Sequence, residues 1–323
     1  MKLDNISGSI PDDRDFQYIK RPGPFLAQLD LKPDVFEIED QGSVGSCTCN
    51  SSVSACEDLC KQDLSRLFPY WMTRNVIENR PGQEGANLRD AIRSLFHYGT
   101  PLESIWPYDV SCVNLQPNGE AYTDAEQRKV TRYERVDHTD LNAIKSALNE
   151  GLPVVFASRV GADIRNPTGP WQSHRMRPAA YGSWFNNGNE WIGNHAMLII
   201  GYDDTIQNPC PGWIMHGSFL VQNSWGKGYG DGGFLGYPYQ AFLCDAMEAW
   251  VIRGFADVNP PKYVTPPSVV IGWYKSVWRV DVTDPTDPNV QHWANHEGGE
   301  RAFLECYKTI VDDIINKRLA SLP

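Results

Sequence analysis

Cys47 has the sequence context that a nucleophilic thiol requires. It ends the stretch QGSVGSC (residues 41–47) and opens a helical pattern that continues to Leu64 without Gly or Pro. The positive end of a helix dipole and its unbonded N–H groups favour a thiolate over a thiol. The backbone N–H of Cys47 and the side-chain amide of Gln41 are candidate donors to the oxyanion that forms when a thiolate attacks a carbonyl. The pattern therefore predicts nucleophilic catalysis.

His195 and Asn223 are the candidate partners of that thiol. His195 opens the apolar run HAMLIIGY (195–202), and Asn223 follows SFLVQ (218–222); both runs are typical of strands. A histidine can accept the thiol proton and return it to a leaving group, while a third polar group orients the imidazole. His216 is an alternative base, which stands beside a glycine and which we interpret as a surface or turn histidine.

These segments resemble the papain-like cysteine peptidases. QGSVGSC is similar to the Q-G-x-x-G-S-C of that family, Asn194-His195-Ala196 with MLIIGYDD resembles its catalytic-histidine strand, and NSWGKGYG (223–230) resembles its N-S-W-G-x-x-W-G. Gly85 before a helix and Trp106-Pro107-Tyr108 match landmarks between them. The resemblance implies an α+β, two-lobe fold: a helical lobe whose central helix starts at the nucleophile, an antiparallel β lobe, and an active site in the cleft between them.

The resemblance also implies roles for individual residues. Cys47 is the nucleophile and His195 the base that later protonates the leaving amine. Asn223 orients the imidazole, Gln41 is the oxyanion donor, and Trp225 shields the bond between His195 and Asn223 from water. The implied reaction is hydrolysis of a protein or peptide substrate by an endopeptidase, with no cofactor.

Substrate-binding residues follow from the same resemblance. Gly85 is expected to offer backbone hydrogen bonds to an extended substrate. Ala86, Ala157 and Ala196 are expected to line the pocket for the side chain two residues before the cleaved bond, and their small size leaves room for a bulky apolar group.

Several positions depart from the family pattern. Val44 stands where many secreted members have a disulfide cysteine, which fits a protein that does not need that disulfide. Thr48-Cys49 replaces the usual aromatic and small pair, and Tyr229 replaces the second Trp. The stretch 161–193 is interpreted as an insertion that roofs the site.

The coarse pattern of the chain is helices first and strands later. We predict helices at 46–64, 87–98 and 141–148 and strands at 153–157, 195–202, 218–222 and 249–253. Cys49, Val53, Cys56 and Cys60 fall on one stripe of the first helix and predict buried thiols, whereas Cys47 lies on another side.

Composition excludes several other classes. The 323 residues carry a formal charge of −11, with no Lys/Arg-rich stretch for nucleic acid. Apolar runs are shorter than the roughly 18 to 20 residues of a membrane helix. The eight cysteines lack zinc-type spacing, and HExxH is absent, so we expect no metal. For Cys210 and Cys244 the sequence allows two predictions, a disulfide between them or two buried thiols. With no signal sequence visible, the default localisation is cytoplasmic, with virion association or another export route left open.

Three segments complete the prediction. Residues 1–40 are a Pro-containing arm, expected on the surface rather than as a packed element, and similar to the lead-in of bacterial and phage-type members, in which a short segment can lie across the cleft. Residues 41–255 are the catalytic core. Residues 256–323 are an extension with a Pro-rich linker, a β-type stretch and an amphipathic helix at 300–319. The helix either packs back on the body, binds a protein partner or self-associates. A papain-fold scaffold, catalytically silent or used only for self-processing, is the alternative to an enzyme.

Overall fold

An antiparallel sheet packs against helices, most of which come earlier in the chain than the central strands of the sheet. The computed structural model describes residues 8–9, 12, 14–165, 190–210 and 213–256. Its helices are α1 (Cys47–Cys60), α2 (Leu67–Met72), α3 (Leu88–His97), α4 (Gly119–Ala125), α5 (Leu141–Asn149) and α6 (Tyr239–Asp245). Its strands are β1 (Gln28–Asp30), β2 (Lys129–Val136), β3 (Val154–Gly161), β4 (Trp191–Cys210), β5 (Trp213–Gln222), β6 (Phe234–Pro238) and β7 (Ala246–Ala256).

The strand order is β2-β7-β3-β4-β5-β6, and β1 pairs with β4 beside this path. All of these named strand pairs are antiparallel. β3 and β4 run through the middle of the sheet. Their apolar runs 154–157 and 196–200 are buried, so these parts of both strands read as continuous hydrophobic runs. The α+β prediction is confirmed. The described residues contain no helix long and apolar enough to cross a membrane.

Helix α1 begins at the predicted residue and ends earlier than predicted. Ser46 is its N-cap residue, but the Ser46 side chain makes no capping bond. The helix ends at Cys60 because Lys61 adopts a left-handed conformation (φ 56°), and its N–H donates to the Glu57 carbonyl at 2.7 Å. The prediction that it extends to Leu64 is wrong by one turn.

The cysteine stripe of α1 is only partly as predicted. Cys49 and Cys56 are fully buried, but Cys60 is only half-buried because it lies in the last turn. Cys47 is buried as well, so burial does not separate it from the stripe. The separation is one of direction: Cys49 packs among Leu67 and Tyr70, whereas Cys47 contacts strand β4.

The N-terminal segment corrects another expectation. Residues 28–30 form β1, which pairs with residues 201–203 of β4, and Tyr18, Leu29 and Leu31 are buried. The expectation that residues 1–40 contain no packed element is therefore wrong for this part. A strand of three residues, preceded by prolines, carries too little periodicity to be recognised.

Two predicted features fall outside the described residues. The linker and amphipathic helix of 256–323 lie beyond residue 256. Most of the insertion at 161–193 lies in 166–189, also outside them.

Candidate active site

The N-terminus of α1 meets strand β4. The backbone N–H of Ala196 donates to Cys47 Sγ at 3.4 Å. His195 directly precedes Ala196 on β4, so the thiol lies against the backbone of the residue that follows the histidine. Cys47 is 1 % exposed and His195 0 % exposed. This contact brings together two side chains that are far apart in the sequence.

Asn223 fixes the imidazole of His195. His195 Nε2 lies 2.7 Å from Asn223 Oδ1, and the same oxygen accepts a hydrogen bond from the Ser224 N–H at 2.8 Å. Because the backbone N–H can only donate, the atom facing Nε2 is the amide oxygen, and Nε2 carries the hydrogen. Nδ1 is then the basic nitrogen of the neutral ring, and it has no hydrogen-bond partner within the described part of the chain.

Burial determines the charge of that ring. It lowers the pKa of His195 from its ordinary 6.5 to about 4, and the bond to Asn223 opposes this only in part. Trp225 stacks on the imidazole, with ring centroids 4.7 Å apart and planes inclined by 28°. Trp225 thus covers one face of the imidazole ring.

Gln41 is held by hydrogen bonds from its backbone and from both ends of its side-chain amide. Its backbone N–H donates to the Ser224 carbonyl at 2.8 Å, and its Oε1 accepts from Ser224 Oγ at 2.7 Å. Its Nε2 donates to the Val44 carbonyl at 2.9 Å. An amide nitrogen carries two hydrogens, and this bond uses one of them.

Ser224 was not singled out from the sequence. It bonds to Gln41 and to Asn223, and so connects the two halves of the site. Ser224 stands within the NSWG segment, but its partner Gln41 is distant in the chain, so only the fold reveals the bond between them.

Tyr229 packs where the resembled motif has its second Trp. Its ring meets Trp225 edge-on at 5.0 Å, and its hydroxyl donates to the Ile164 carbonyl at 2.8 Å. Burial raises the pKa of Tyr229, so the hydroxyl remains a donor. The substitution therefore keeps an aromatic contact and adds an anchor for the start of the 161–193 stretch.

Both polar backbone groups of Gly85 already have partners. Its N–H donates to Tyr70 Oη at 3.1 Å, and its carbonyl accepts from Arg80 Nη2 at 3.3 Å. Gly85 has φ +80°, a conformation that favours glycine. A substrate strand that bonds to Gly85 would have to replace these two partners.

Arg74 fastens the loop that carries Gly85. This arginine is 1 % exposed, and its guanidinium lies 4.2 Å from the centre of the Tyr70 ring. It donates to three oxygens on two separate loops, namely the carbonyls of Gln83 and Val113 and Oδ1 of Asn114.

Two of the three predicted pocket alanines lie side by side. Ala157 on β3 pairs with Ala196 on β4, and both are fully buried. Ala86 packs instead in a cluster of the helical part with Cys49, Leu67, Tyr70 and Ala91. His216 is exposed on β5 opposite Gln207, as expected for a surface histidine. Cys244 is a half-buried thiol without a disulfide.

Glu248 shares the sheet face of these alanines and was missed from the sequence. It pairs with Ala157 across β7 and β3, and directly paired residues project to the same face. Its buried carboxylate accepts hydrogen bonds from Trp250 Nε1 at 2.8 Å and from Ser9 N and Oγ at 3.2 and 3.1 Å. A lone glutamate in a strand gives no sequence signal for such a position.

Comparison with known proteins gives the family. The sequence profile described as papain family cysteine protease matches residues 27–251. A peptidase C1-like protein of Acanthamoeba polyphaga mimivirus is 28% identical over 249 residues, 72% of this chain and 74% of that protein. Cysteine proteinase 2 of Entamoeba histolytica is 28% identical over 238 residues, 71% of this chain and 68% of that protein.

A solved structure agrees with the sequence comparison. Xylellain, a cysteine protease from Xylella fastidiosa, matches with a TM-score of 0.65 and 29% identity over 80% of this chain and 99% of the xylellain chain. This chain therefore belongs to the papain family, has its α+β fold, and is a thiol protease that hydrolyses protein or peptide substrates.

Proposed function

We propose that the chain is an endopeptidase in which Cys47, His195, Asn223 and Gln41 perform the chemistry. The observation that carries the proposal is the contact of Ala196 N–H with Cys47 Sγ. It places the thiol against the residue that follows His195, whose imidazole is bonded to Asn223 at 2.7 Å. Orientation of the base by a third group is the arrangement that nucleophilic catalysis requires.

The acylation step follows from these positions. Cys47 Sγ attacks the carbonyl carbon of the peptide bond, and its proton passes to His195 Nδ1. The carbonyl oxygen becomes an oxyanion that accepts hydrogen bonds from Gln41 Nε2 and the Cys47 N–H. The oxyanion then re-forms the carbonyl, the C–N bond breaks, and the leaving amine takes the proton from the imidazolium.

Deacylation repeats the cycle with water. His195 Nδ1 removes a proton from water, the hydroxide attacks the thioester carbon, and the C–S bond breaks. The thiolate then recovers the proton from His195. Trp225 supports both steps because its ring covers the imidazole.

The substrate is proposed to extend from Gly85 toward Ala157 and Ala196. The two alanines form a small-residue floor beside Cys47. Ala86 is a weaker candidate for this pocket, since it packs within the helical part.

A thiol-directed epoxide and two variants test this function. We expect the epoxide to label Cys47, with the site identified by peptide mass spectrometry, and Cys47→Ala to abolish cleavage of an unstructured protein. His195→Ala is expected to lower kcat on the order of 10³-fold, as for catalytic groups that act as a unit.

Cys56→Ala is the matched control, since its fully buried thiol lies on the core stripe. An unlabelled Cys47, together with undiminished turnover by Cys47→Ala, would contradict the proposal and favour a catalytically silent scaffold. Cleavage confined to the chain's own termini would instead indicate self-processing.

A further inference from the structure

Tyr108 contacts the loop that joins the oxyanion donor to the nucleophile. Its hydroxyl donates to the Gln41 carbonyl at 3.1 Å and is also hydrogen-bonded to Ser46 Oγ. Gln41 and Ser46 lie at the two ends of the segment 41–46, directly before Cys47. One hydroxyl therefore ties both ends of this segment together.

The hydrogen bonds through Tyr108 have a single possible direction. Asn50 Nδ2 donates to Ser46 Oγ at 2.8 Å and to the Ser46 carbonyl at 2.9 Å. A tyrosine hydroxyl has one hydrogen, which goes to Gln41, so the Ser46 hydroxyl must donate to Tyr108. Donors thus run from Asn50 through Ser46 and Tyr108 to the carbonyl of Gln41.

Arg66 holds the other side of this arrangement. Its guanidinium lies 4.3 Å from the centre of the Tyr108 ring, and its Nη1 donates to Asn50 Oδ1 at 3.1 Å. It also forms an ion pair with Glu39, two residues before Gln41. Arg66 is 8 % exposed, and Ser46 and Asn50 are fully buried, so loss of one bond would leave buried polar groups unsatisfied.

We propose that Tyr108 is a positioning residue, which fixes the oxyanion donor Gln41 relative to Cys47 by fastening both ends of the segment 41–46. The inference rests on the proposed function, because it assigns Tyr108 a part in the same reaction. Burial raises the pKa of Tyr108, so its hydroxyl stays protonated over the working range of such an enzyme.

The test compares two reactions of the same thiol in the full-length chain. Hydrolysis of a fluorogenic peptide amide passes through an oxyanion, whereas alkylation of Cys47 by iodoacetamide displaces iodide and forms none. Tyr108→Phe keeps the ring under Arg66 and removes only the hydroxyl. We expect kcat for hydrolysis to fall about tenfold, with KM and the alkylation rate changed less than about twofold.

Tyr122→Phe is the matched control, since Tyr122 is a half-buried tyrosine of the same helical part that packs on Phe68. It should change neither reaction. An equal fall of hydrolysis and alkylation in folded Tyr108→Phe would indicate general damage and overturn the proposal, as would unchanged hydrolysis.

A second variant covers the case in which Tyr108→Phe does not fold. Ser46→Ala removes the donor to Tyr108 and leaves the bond from Tyr108 to Gln41. We therefore expect kcat for hydrolysis to fall by less than in Tyr108→Phe, again without a matching fall in the alkylation rate. An equal fall of hydrolysis and alkylation in folded Ser46→Ala, or hydrolysis at the wild-type rate, would also overturn the proposal. If the wild type neither hydrolyses peptides nor reacts at Cys47, the proposed function itself fails.

Discussion

At the scale of single residues, His195 sets the acid limit of the proposed reaction. Burial lowers its pKa to about 4, so the first proton leaves the Cys47 and His195 pair in this region. Below this pH the imidazole is protonated while the thiol keeps its proton, and no base is present. We expect kcat/KM to be bell-shaped, with an acid limb centred near pH 4.

The alkaline limb reports loss of the pair's second proton. Initial rates with a peptide whose own groups do not titrate in the range would define both limbs. A rate that rises continuously past roughly pH 9, beyond the pKa of an unperturbed thiol, would instead indicate a cysteine without a histidine partner.

The residues proposed to react could be named from local sequence segments, whereas the residues that hold them in place could not. The local segments around Cys47, His195 and Asn223 are contiguous, and the structure brings these residues together. Ser224, Tyr70 and Glu248 act through partners more than ten positions away, which no local pattern reveals.

At the scale of elements, the N-terminal arm has two parts with different contacts. Residues from Asp15 onward are fastened to the body: Asp15 pairs with Arg89, and Tyr18 Oη donates to Glu150 at 2.6 Å. Gly8 and Ser9 lie instead against Met247 and Glu248, on the strand that pairs with Ala157. From this contact we propose that Gly8 and Ser9 restrict access to the substrate pocket.

A truncation follows from this division. A chain that begins at Asp12 keeps the fastened part and loses Ser9, and we expect its kcat/KM for a peptide to rise about fivefold or more, since a tethered competitor acts at a high effective concentration. A chain that begins at Ser7 retains the contact and is the control. If the chain that begins at Asp12, the chain that begins at Ser7 and the full chain had equal kcat/KM, the arm would not restrict access to the pocket.

Elements with strong periodicity were predicted, and those that break a rule were missed. Helices α3 and α5 fall within a residue of the predicted bounds. The sequence pattern does not reveal helix α2, because a proline usually ends a helix; Pro69 lies in the first turn, where no N–H donor is needed. It does not reveal strand β2 either, because that strand lies at the sheet edge and reads KVTRYERV, in which Thr131 and Arg132 are exposed.

At the scale of the whole molecule, an acidic cluster of two buried glutamates and one exposed aspartate links stability to pH. Carboxylate oxygens of Glu39, Glu57 and Asp63 lie within 4.8 Å of one another. Burial raises the pKa of Glu39 from its ordinary 4.5 to about 7, and it raises the pKa of Glu57 well above its usual range. Arg66 pairs with Glu39 but does not offset this burial.

The sign of the effect follows from proton binding. Between pH 4.5 and about 7 the folded state holds protons that the unfolded state has released. The stabilisation is therefore complete below pH 4.5 and is lost as the pH rises toward 7 and above. We expect a lower free energy of unfolding at pH 7.5 than at pH 5 by denaturant titration, and a smaller difference in Glu57→Gln.

Glu126→Gln serves as the control, because that side chain is 72% exposed and pairs with Lys129 at the surface. Its pH dependence should equal that of the wild type. If the free energy of unfolding of Glu57→Gln depended on pH as strongly as that of the wild type, the cluster would not be the source of the pH dependence.

Arg74 also bears on how the enzyme tolerates reductants. Its guanidinium fastens the Gly85 loop to the 113–114 loop through oxygens, and Cys49, Cys56, Cys112 and Cys244 carry no disulfide. A thiol protease must keep its nucleophile reduced, and reagents that do so also open S–S bonds. Because this fastening consists of hydrogen bonds, the conditions that protect Cys47 from oxidation leave the Gly85 loop in place.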